Sequence, residues 1–213
     1  MKSRWIDLTH SISPDTMPYP GDPCLILEKN EKKGKDDFVL SRVTTGMHLG
    51  THVDSFSHLI KNGADIVSLP PDRFYGKAAL VRVKQVGGLI KTQDVIYEWE
   101  KLSDKPEILL LETGQANKFG KKEYYTGCPG FEPGFAKVLA SFKVRLFGVD
   151  LPTVKYGVNG NAAMHRDLFE NEILIVESLA NLDKLPVYFD FFALPLKIEG
   201  AEASLVRAMA LAD

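Results

Sequence analysis

Three of the five histidines in the chain lie within eleven residues, together with one aspartate. Imidazole and carboxylate groups are the ligands that Zn²⁺, Mn²⁺ and Fe²⁺ prefer in proteins. A lone histidine is usually an ordinary polar residue, but three with an aspartate around one glycine favour a metal site. The sequence therefore predicts a metal centre whose candidate ligands are His48, His52 and Asp54.

The spacing of these ligands limits the backbone that carries them. On a helix, Asp54 would lie roughly 200° around the axis from His52, so a helix cannot gather all three ligands. On a strand, His52 and Asp54 point to the same side about 6.6 Å apart, which suits a shared ion. His48 would lie about 13 Å from His52 on a straight strand. We therefore predict a strand with a bend at Gly50, where glycine permits an unusual backbone.

Three further polar residues are candidates for the same site. His58 follows Asp54 by four residues, so strand alternation places it near the metal but further along, unless it is a solvated surface residue. A neutral imidazole there would exchange a proton with water or with a leaving amine. His165 and Glu177 lie in a predicted helix and at the end of an apolar run, and their residue types leave their roles open. We interpret His10 as structural or pocket-lining.

Short apolar or β-branched runs predict strands, and amphipathic segments predict helices. The predicted strands are 39–43, 78–83, 108–111, 144–149 and 173–176, and the predicted helices are 93–102 with Thr92 as its cap, 133–142 and 161–169. The aromatic run 187–198 is interrupted by Pro195, which predicts an edge strand or a bulge. Four prolines in 11–23 predict a rigid loop. This mixture predicts one α/β or α+β domain.

The composition of the 213 residues is that of a soluble globular protein, with 45% hydrophobic and 25% charged residues. A net charge of -2 and no long apolar run argue against nucleic-acid and membrane partners. The basic runs 29–35 and 118–122 are interpreted as solvated loops. The N-terminus has no apolar stretch typical of a secretion signal, so Cys24 and Cys128 are expected to be reduced and the protein cytoplasmic.

The chain resembles the cyclase-like metal-dependent hydrolases, which include bacterial kynurenine formamidase (arylformamidase) and isatin hydrolase. The most specific match is the motif His48-x-Gly50-Thr51-His52-x-Asp54-x-Phe56-x-His58. Weaker matches occur at 18–23, before the motif, and at 129–131, 146–150, 181–182 and 185–186, after it, and they have the same order along the chain as in the family. The resemblance therefore covers nearly the whole chain.

The resemblance implies a fold, a cofactor and a set of roles. The fold would be a single compact mixed α/β domain over 1–213, of the swivelling β/β/α type, in a homodimer or higher homo-oligomer. The cofactor would be one or two divalent ions, with Zn²⁺ expected first and Mn²⁺ as the alternative. By resemblance the metal ligands are His48, His52 and Asp54, with His165 and Glu177 completing a second ion site, and His58 is the catalytic histidine.

Two positions depart from the family pattern. Phe56 replaces a proline, and losing the proline's φ restraint is expected to loosen the strand that carries His58. Glu112 stands where relatives commonly carry arginine, which reverses a charge near the expected pocket. The substrate therefore cannot be carried over from the relatives.

The function predicted from these residues is hydrolysis of a C–N bond in a small amide, aryl formamide or lactam. A metal would lower the pKa of water towards about 7 and polarise the carbonyl, and His58 would carry the proton. Phe56, Tyr19 and Trp5 are the candidate substrate-binding residues. Two alternatives remain: a non-haem iron oxygenase, which uses the same two-histidine, one-carboxylate set, and a metal-binding protein without catalysis.

Overall fold

A computed structural model describes residues 4–32, 38–84, 88–158 and 160–212. The strands are β1 (Arg4–Asp7), β2 (Ile26–Lys32), β3 (Phe38–Thr44), β4 (His52–Asp54), β5 (Tyr75–Arg82), β6 (Leu89–Ile90), β7 (Ile108–Glu112), β8 (Gly130–Phe131), β9 (Leu146–Val149), β10 (Leu174–Glu177), β11 (Tyr188–Phe192), β12 (Ala203–Leu205) and β13 (Met209–Ala212). The α-helices are α1 (Thr92–Glu100), α2 (Lys122–Thr126), α3 (Phe135–Ser141) and α4 (Asn161–Glu170).

Nine of these strands form one mixed sheet, in the order β1-β13-β11-β5-β7-β9-β10-β4-β12. Strands β5, β7, β9 and β10 are parallel neighbours, and the strands outside them pair antiparallel. The apolar runs of the four parallel strands are continuous because both faces of this part of the sheet are covered. Leu109 and Leu110, for example, are both fully buried although they point to opposite faces.

Two hydrophobic cores flank the sheet. One core packs the helices against the sheet through Trp99 of α1, Leu139 of α3 and Leu168 of α4. The other core, on the opposite face, includes Phe189 and Phe191. The mixed α/β class predicted from the alternating patterns is therefore confirmed, and its helices pack on the buried parallel strands.

The antiparallel pair β2 and β3 lies outside this sheet. The two strands pair with each other from Ile26 opposite Thr44 to Lys32 opposite Phe38. Every residue of β3 is exposed, so the apolar run 39–43 forms a strand, as predicted, but not a core strand.

Several predicted boundaries differ from the structure. Helix α1 begins at Thr92 and ends at Glu100, so Thr92 is the first residue of the helix and not its N-cap. The backbone N–H of Thr92 donates a hydrogen bond to Glu132 Oε2 at 2.8 Å. Helix α3 is shorter than 133–142, because Gly134 precedes it in a left-handed conformation with φ +88°. The run 187–198 contributes only β11, and Pro195 forms an isolated bridge with Val206 beyond it.

The loop predictions were partly wrong. Segment 11–23 is irregular, as its prolines predict. The basic run 29–35 is not a loop throughout, since β2 extends to Lys32 and positions 33–35 lie outside the described residues. In the run 118–122, a 3-10 turn ends at Lys118 and α2 begins at Lys122. Cys24 is exposed, Cys128 is buried, and both are free thiols. None of the helices described is long and apolar enough to cross a membrane.

Candidate metal centre

Strand β4 places two predicted ligands on one side of the sheet, as the spacing predicts. It lies between β10 and β12, and His52 and Asp54 are both buried. Before it, Gly50 has φ +67°, and a Cβ atom there would lie 2.7 Å from Ile12 Cγ2. Only glycine adopts this conformation without strain. The chain therefore bends at Gly50, and the His48 ring lies 5.0 Å from the His52 ring between centroids.

Two further residues reach the same point from distant parts of the chain. Glu177 is the last residue of β10 and lies opposite His52 in the antiparallel pairing with β4. His165 lies in α4, and its side chain is 3% exposed. A carboxylate at the buried end of a strand and a histidine on the covering helix therefore face the two ligands of β4.

The ligand atoms of the five residues come close together in five pairs, at 3.1–3.6 Å. Asp54 Oδ1 lies 3.1 Å from His48 Nδ1 and 3.3 Å from His52 Nε2, and Asp54 Oδ2 lies 3.6 Å from His165 Nε2. Glu177 Oε1 lies 3.1 Å from His165 Nε2, and Glu177 Oε2 lies 3.5 Å from His52 Nε2. Two ligand groups result, His48 with His52 and Asp54, and Asp54 with His165 and Glu177. Asp54 belongs to both groups.

The donor atoms of this cluster fit a cation. His52 Nε2 and both carboxylate oxygens of Asp54 are buried without a hydrogen-bond partner among the described residues. Leaving three such atoms unpaired is costly unless another group binds them. His52 Nδ1 lies 2.8 Å from the Gly50 carbonyl, and His165 Nδ1 lies 3.0 Å from the Asn161 carbonyl. Because a carbonyl only accepts, these contacts hold the proton on Nδ1 and leave each Nε2 lone pair facing the cluster.

The protonation of the metal-free cluster follows from its charges. Burial lowers the pKa of His48, but the adjacent Asp54 carboxylate, with Oδ1 3.1 Å from His48 Nδ1, outweighs burial and raises that pKa to about 9. The pKa of His165 rises to about 10, because Asp54 and Glu177 outweigh its burial. Burial acts to raise the pKa of Asp54, but the surrounding histidines hold it well below its usual range. Without metal the cluster therefore holds protons where a cation would bind.

His58 lies beside the cluster but outside both ligand groups. It ends a 3-10 turn, Phe56–His58, so the prediction that strand alternation carries it was wrong. Its ring nevertheless lies 4.5 Å from the His48 ring and 5.8 Å from the His165 ring between centroids. Burial lowers the pKa of His58, and the nearby carboxylates only partly oppose that effect. His58 is therefore neutral at pH 7 and able to accept a proton.

A cleft of about 180 Å³ opens onto these side chains. His48, His58, His165 and Glu177 line it, and the other lining residues are Tyr19, Asp22, Pro152, Thr153 and Asn161. Tyr19 supplies an aromatic wall and contacts Tyr125 edge to face, with the ring centroids 5.8 Å apart. No lysine or arginine lines the cleft within the described residues.

The structure places two of the predicted substrate-binding residues away from the cleft. Trp5 is 58% exposed, packs against Phe192 and lines a different surface cavity. The Phe56 ring packs against Phe169 beside the cluster and lies under the Arg73 guanidinium. Phe56 occupies the first position of its 3-10 turn, where proline is normally favoured, and its side chain packs against the core instead.

Glu112 also lies outside the cleft. Its carboxylate accepts a hydrogen bond from Arg82 Nε at 2.7 Å, and it lines a separate cavity together with His10. The expectation that Glu112 alters the charge of the substrate pocket was therefore wrong. The cation that neutralises it comes from the neighbouring strand β5, to which β7 pairs in parallel.

Sequence inspection missed Glu202, which comes close to His48. Its Oε1 lies 3.4 Å from His48 Nε2, and its backbone carbonyl accepts hydrogen bonds from both the N–H and the hydroxyl of Ser55. A lone glutamate in a polar stretch carries no local signal, because its partner is far away in the sequence. Only the pairing of β12 with β4 reveals the contact.

Comparisons with known proteins agree with this geometry. The family model described as "Putative cyclase" matches residues 6–156. The chain is 28% identical over 208 residues to a kynurenine formamidase of Bacillus cereus, with 97% of each chain covered. It is 34% identical over 209 residues to an uncharacterized protein of Methanocaldococcus jannaschii, with 97% of this chain and 98% of that protein covered.

Two solved structures have the same fold. An isatin hydrolase bound to the product analogue thioisatinate aligns with a TM-score of 0.81 and 23% identity, covering 99% of this chain and 92% of that one. A potential metal-dependent hydrolase with cyclase activity aligns with a TM-score of 0.79 and 21% identity, covering 99% and 98%. The family match, the fold and the buried histidine–carboxylate cluster together show that the chain belongs to the cyclase family of metal-dependent hydrolases.

Proposed function

We propose that this protein hydrolyses a C–N bond in a small amide, aryl formamide or lactam. The observation that carries the proposal is the position of His58, whose ring lies 4.5 Å from His48 between centroids and which lines one cleft together with His48, His165 and Glu177 of the buried histidine–carboxylate cluster. The B. cereus relative is a kynurenine formamidase, and a protein of the same fold is an isatin hydrolase. Both names describe cleavage of a C–N bond next to a carbonyl.

Under this proposal, His48, His52, Asp54, His165 and Glu177 hold one or two divalent ions, Zn²⁺ in the first instance and Mn²⁺ as the alternative. When bound, such an ion polarises a carbonyl oxygen and lowers the pKa of water. The carbonyls of Gly50 and Asn161 keep two of the histidines in the tautomer that presents Nε2 to the cluster.

His58 carries the proton in this proposal. Because its pKa is lowered by burial, it is unprotonated at neutral pH and accepts a proton from the attacking water. It then returns that proton to the departing nitrogen, which would otherwise leave as an unstable anion. The Tyr19 ring provides an apolar wall for a flat substrate, and the small cleft volume favours a compact one.

The charges of the cleft also favour particular substrates. Asp22 lies at the cleft, and no described lining residue carries a positive charge apart from protonated histidines. We therefore expect a substrate whose free carboxylate would lie beside Asp22, away from the bound ions, to be cleaved more slowly than an uncharged formanilide or lactam. The free thiol of exposed Cys24 is consistent with the cytoplasm as the site of action.

The test begins with elemental analysis of the purified protein and a hydrolysis screen on N-formyl aryl amines, isatin and simple lactams. His58→Ala should retain the metal content and lose at least a hundredfold in turnover, because general acid–base catalysis contributes that much. His10→Phe, at a histidine outside the cleft, is the matched control and should keep full activity. Turnover that survives His58→Ala would show that the assigned role is wrong.

The same screen separates the alternatives. Hydrolysis under strictly anaerobic conditions would exclude an iron oxygenase, which needs dioxygen. The cluster also offers more ligands than the two histidines and one carboxylate of such an enzyme require. Metal binding with no hydrolysis of any substrate would instead indicate a binding protein.

A further inference from the structure

His48 is held differently from the other two histidines of the cluster. His52 and His165 each direct Nδ1 at a backbone carbonyl, 2.8 and 3.0 Å away, and turn Nε2 to the cluster. The His48 ring is reversed, because its Nδ1 lies 3.1 Å from Asp54 Oδ1 and its Nε2 lies 3.4 Å from Glu202 Oε1. A side-chain carboxylate therefore takes, at His48, the place that a backbone carbonyl has at the other two rings.

The orientation of the His48 ring fits a cation bound through Nδ1. The atoms His48 Nδ1 and His52 Nε2 lie 3.1 and 3.3 Å from the same oxygen, Asp54 Oδ1. Two ligand atoms that each lie roughly 2.0–2.1 Å from a tetrahedral zinc ion are about 3.3 Å apart. Both distances to Asp54 are therefore those expected between ligands of one ion.

The geometry points to Glu202 as a positioning residue for His48, and this inference rests on the metal centre proposed above. A neutral imidazole has a single ring proton, so a ring that binds a cation through Nδ1 carries that proton on Nε2. At His48 the Nε2 atom faces the Glu202 carboxylate. By accepting this N–H, the carboxylate fixes both the tautomer and the orientation of the ring, as the outer partners of metal-bound histidines commonly do.

The sheet holds Glu202 beside His48. Glu202 directly precedes β12, and the first residue of that strand, Ala203, lies opposite Asp54 of β4. The backbone carbonyl of Glu202 accepts hydrogen bonds from the N–H and the hydroxyl of Ser55, both at 2.9 Å. The residue that follows the shared ligand Asp54 therefore anchors the backbone that carries the Glu202 carboxylate.

Two other roles for Glu202 fit the structure less well. Its carboxylate belongs to neither ligand group found among the described residues, and it contacts the His48 nitrogen that does not face Asp54. Glu202 is also absent from the described residues that line the cleft, so it is not placed to contact a substrate. Because its side chain is 42% exposed, replacing it should leave the core intact. A substitution at this position therefore removes the contact with His48 and little else.

Zinc affinity, measured by competition with a chelator, tests this role. Glu202→Ala should weaken zinc binding about ten- to a hundredfold, the usual effect of removing the partner of a metal-bound histidine. Glu202→Gln should recover part of this loss, because an amide oxygen also accepts a hydrogen bond. Glu202→Asp keeps the charge but withdraws it by one methylene, so its affinity should stay near that of the alanine variant. Glu199→Ala, at an exposed glutamate three residues earlier, is the matched control and should bind zinc like the wild type.

Two further measurements show whether Glu202 acts through His48. In a His48→Ala background, Glu202→Ala should weaken zinc binding no further, because the ring that it positions is gone. In a His165→Ala background, which removes a ligand of the other group, Glu202→Ala should still weaken binding at least tenfold. The ¹⁵N signals of the histidines in the zinc-loaded wild type should place the proton of His48 on Nε2 and that of His52 on Nδ1.

The possible outcomes separate the metal centre from the role of Glu202. A wild-type protein that binds no divalent cation would overturn both together. Equal zinc affinities for the wild type and Glu202→Ala, or a proton on Nδ1 of His48 in the loaded protein, would overturn the role of Glu202 alone. The same holds if the effects of Glu202→Ala and His48→Ala simply add, or if Glu202→Asp restores the affinity and Glu202→Gln does not.

Discussion

Replacing Gly50 by alanine tests whether the bend before β4 builds the site. The left-handed backbone at φ +67° costs about 1–2 kcal/mol for a residue with a Cβ atom. The new methyl group would also lie 2.7 Å from Ile12 Cγ2, and relieving such an overlap costs about 1–2 kcal/mol more. Together these effects should lower the free energy of unfolding by about 2–4 kcal/mol, or the melting temperature by about 5–15 °C.

The substitution should also weaken metal binding. The carbonyl of Gly50 accepts the hydrogen bond from Nδ1–H that fixes the tautomer of His52, so a shift of this backbone misdirects Nε2. We expect at least a tenfold loss of zinc affinity. Thermal unfolding of the metal-free protein and chelator competition measure the two effects separately.

Two controls isolate the cause. Gly120 has φ +80°, and a methyl group added there would meet no described atom within 4 Å, so Gly120→Ala carries the backbone cost without the overlap. Ile12→Ala removes the overlapping atom, so combining it with Gly50→Ala should recover about 1 kcal/mol or more relative to additivity. Equal melting temperatures and zinc affinities for Gly50→Ala and Gly120→Ala would refute the reasoning.

Three further predictions concern pH, charge and metal. Burial lowers the pKa of His10 to about 4, so as the pH falls below 6.5 the unfolded chain takes up a proton before the folded one, and stability is lost between pH 6.5 and 4. His10→Phe keeps the stacking on Phe119 and should reduce this loss of stability in acid by about 1 kcal/mol, a value that allows for the partial exposure of His10. Urea unfolding at pH 7 and pH 4.5 measures the loss, and an equal loss in the variant and the wild type would contradict this prediction. Glu112→Gln should keep kcat/KM within about twofold, because Glu112 pairs with Arg82 outside the cleft, and a tenfold change in steady-state hydrolysis would argue otherwise. Free zinc at about 100 times its Kd should raise the free energy of unfolding of the metal-free protein by about 2.7 kcal/mol, as measured by calorimetry. A melting temperature that does not change when zinc is added would contradict the metal centre.

Local spacing was enough to predict the first half of the cluster. His52 and Asp54 lie two residues apart, so strand alternation alone places them on the same side of β4. The bend that brings His48 close to them occurs at Gly50, two residues before His52. His58 was placed near the metal for the wrong reason. The strand ends at Asp54, and the 3-10 turn Phe56–His58 that follows it brings the His58 ring beside His48.

The second half of the cluster depends on the order of the strands. Glu177 faces His52 because β10 pairs with β4, and nothing in either segment specifies that pairing. Only the resemblance to known hydrolases indicated His165 and Glu177 as ligands. Trp5 illustrates the opposite error, since an aromatic residue predicted to bind substrate lines another surface cavity of the fold.

The separate strand pair β2 and β3 shows a limit of apolar patterning. Segment 39–43 has the composition of a core strand, and the sequence does not reveal whether a neighbouring element of the same chain or another molecule covers it. Five strands were predicted from the same type of pattern, and four of them lie in the nine-stranded sheet.

The pairing of β12 with β4 has a consequence for protein synthesis. Ala203 lies opposite Asp54, and the backbone of Ser55 is held by Glu202, so the ligand strand gains its outer neighbour from a segment translated roughly 150 residues later. His165 and Glu177 also leave the ribosome long after His48. A nascent chain therefore exposes the histidine motif without the partners that complete it until the segment through Glu202 has been made, and the full cluster of histidines and carboxylates assembles only after that point.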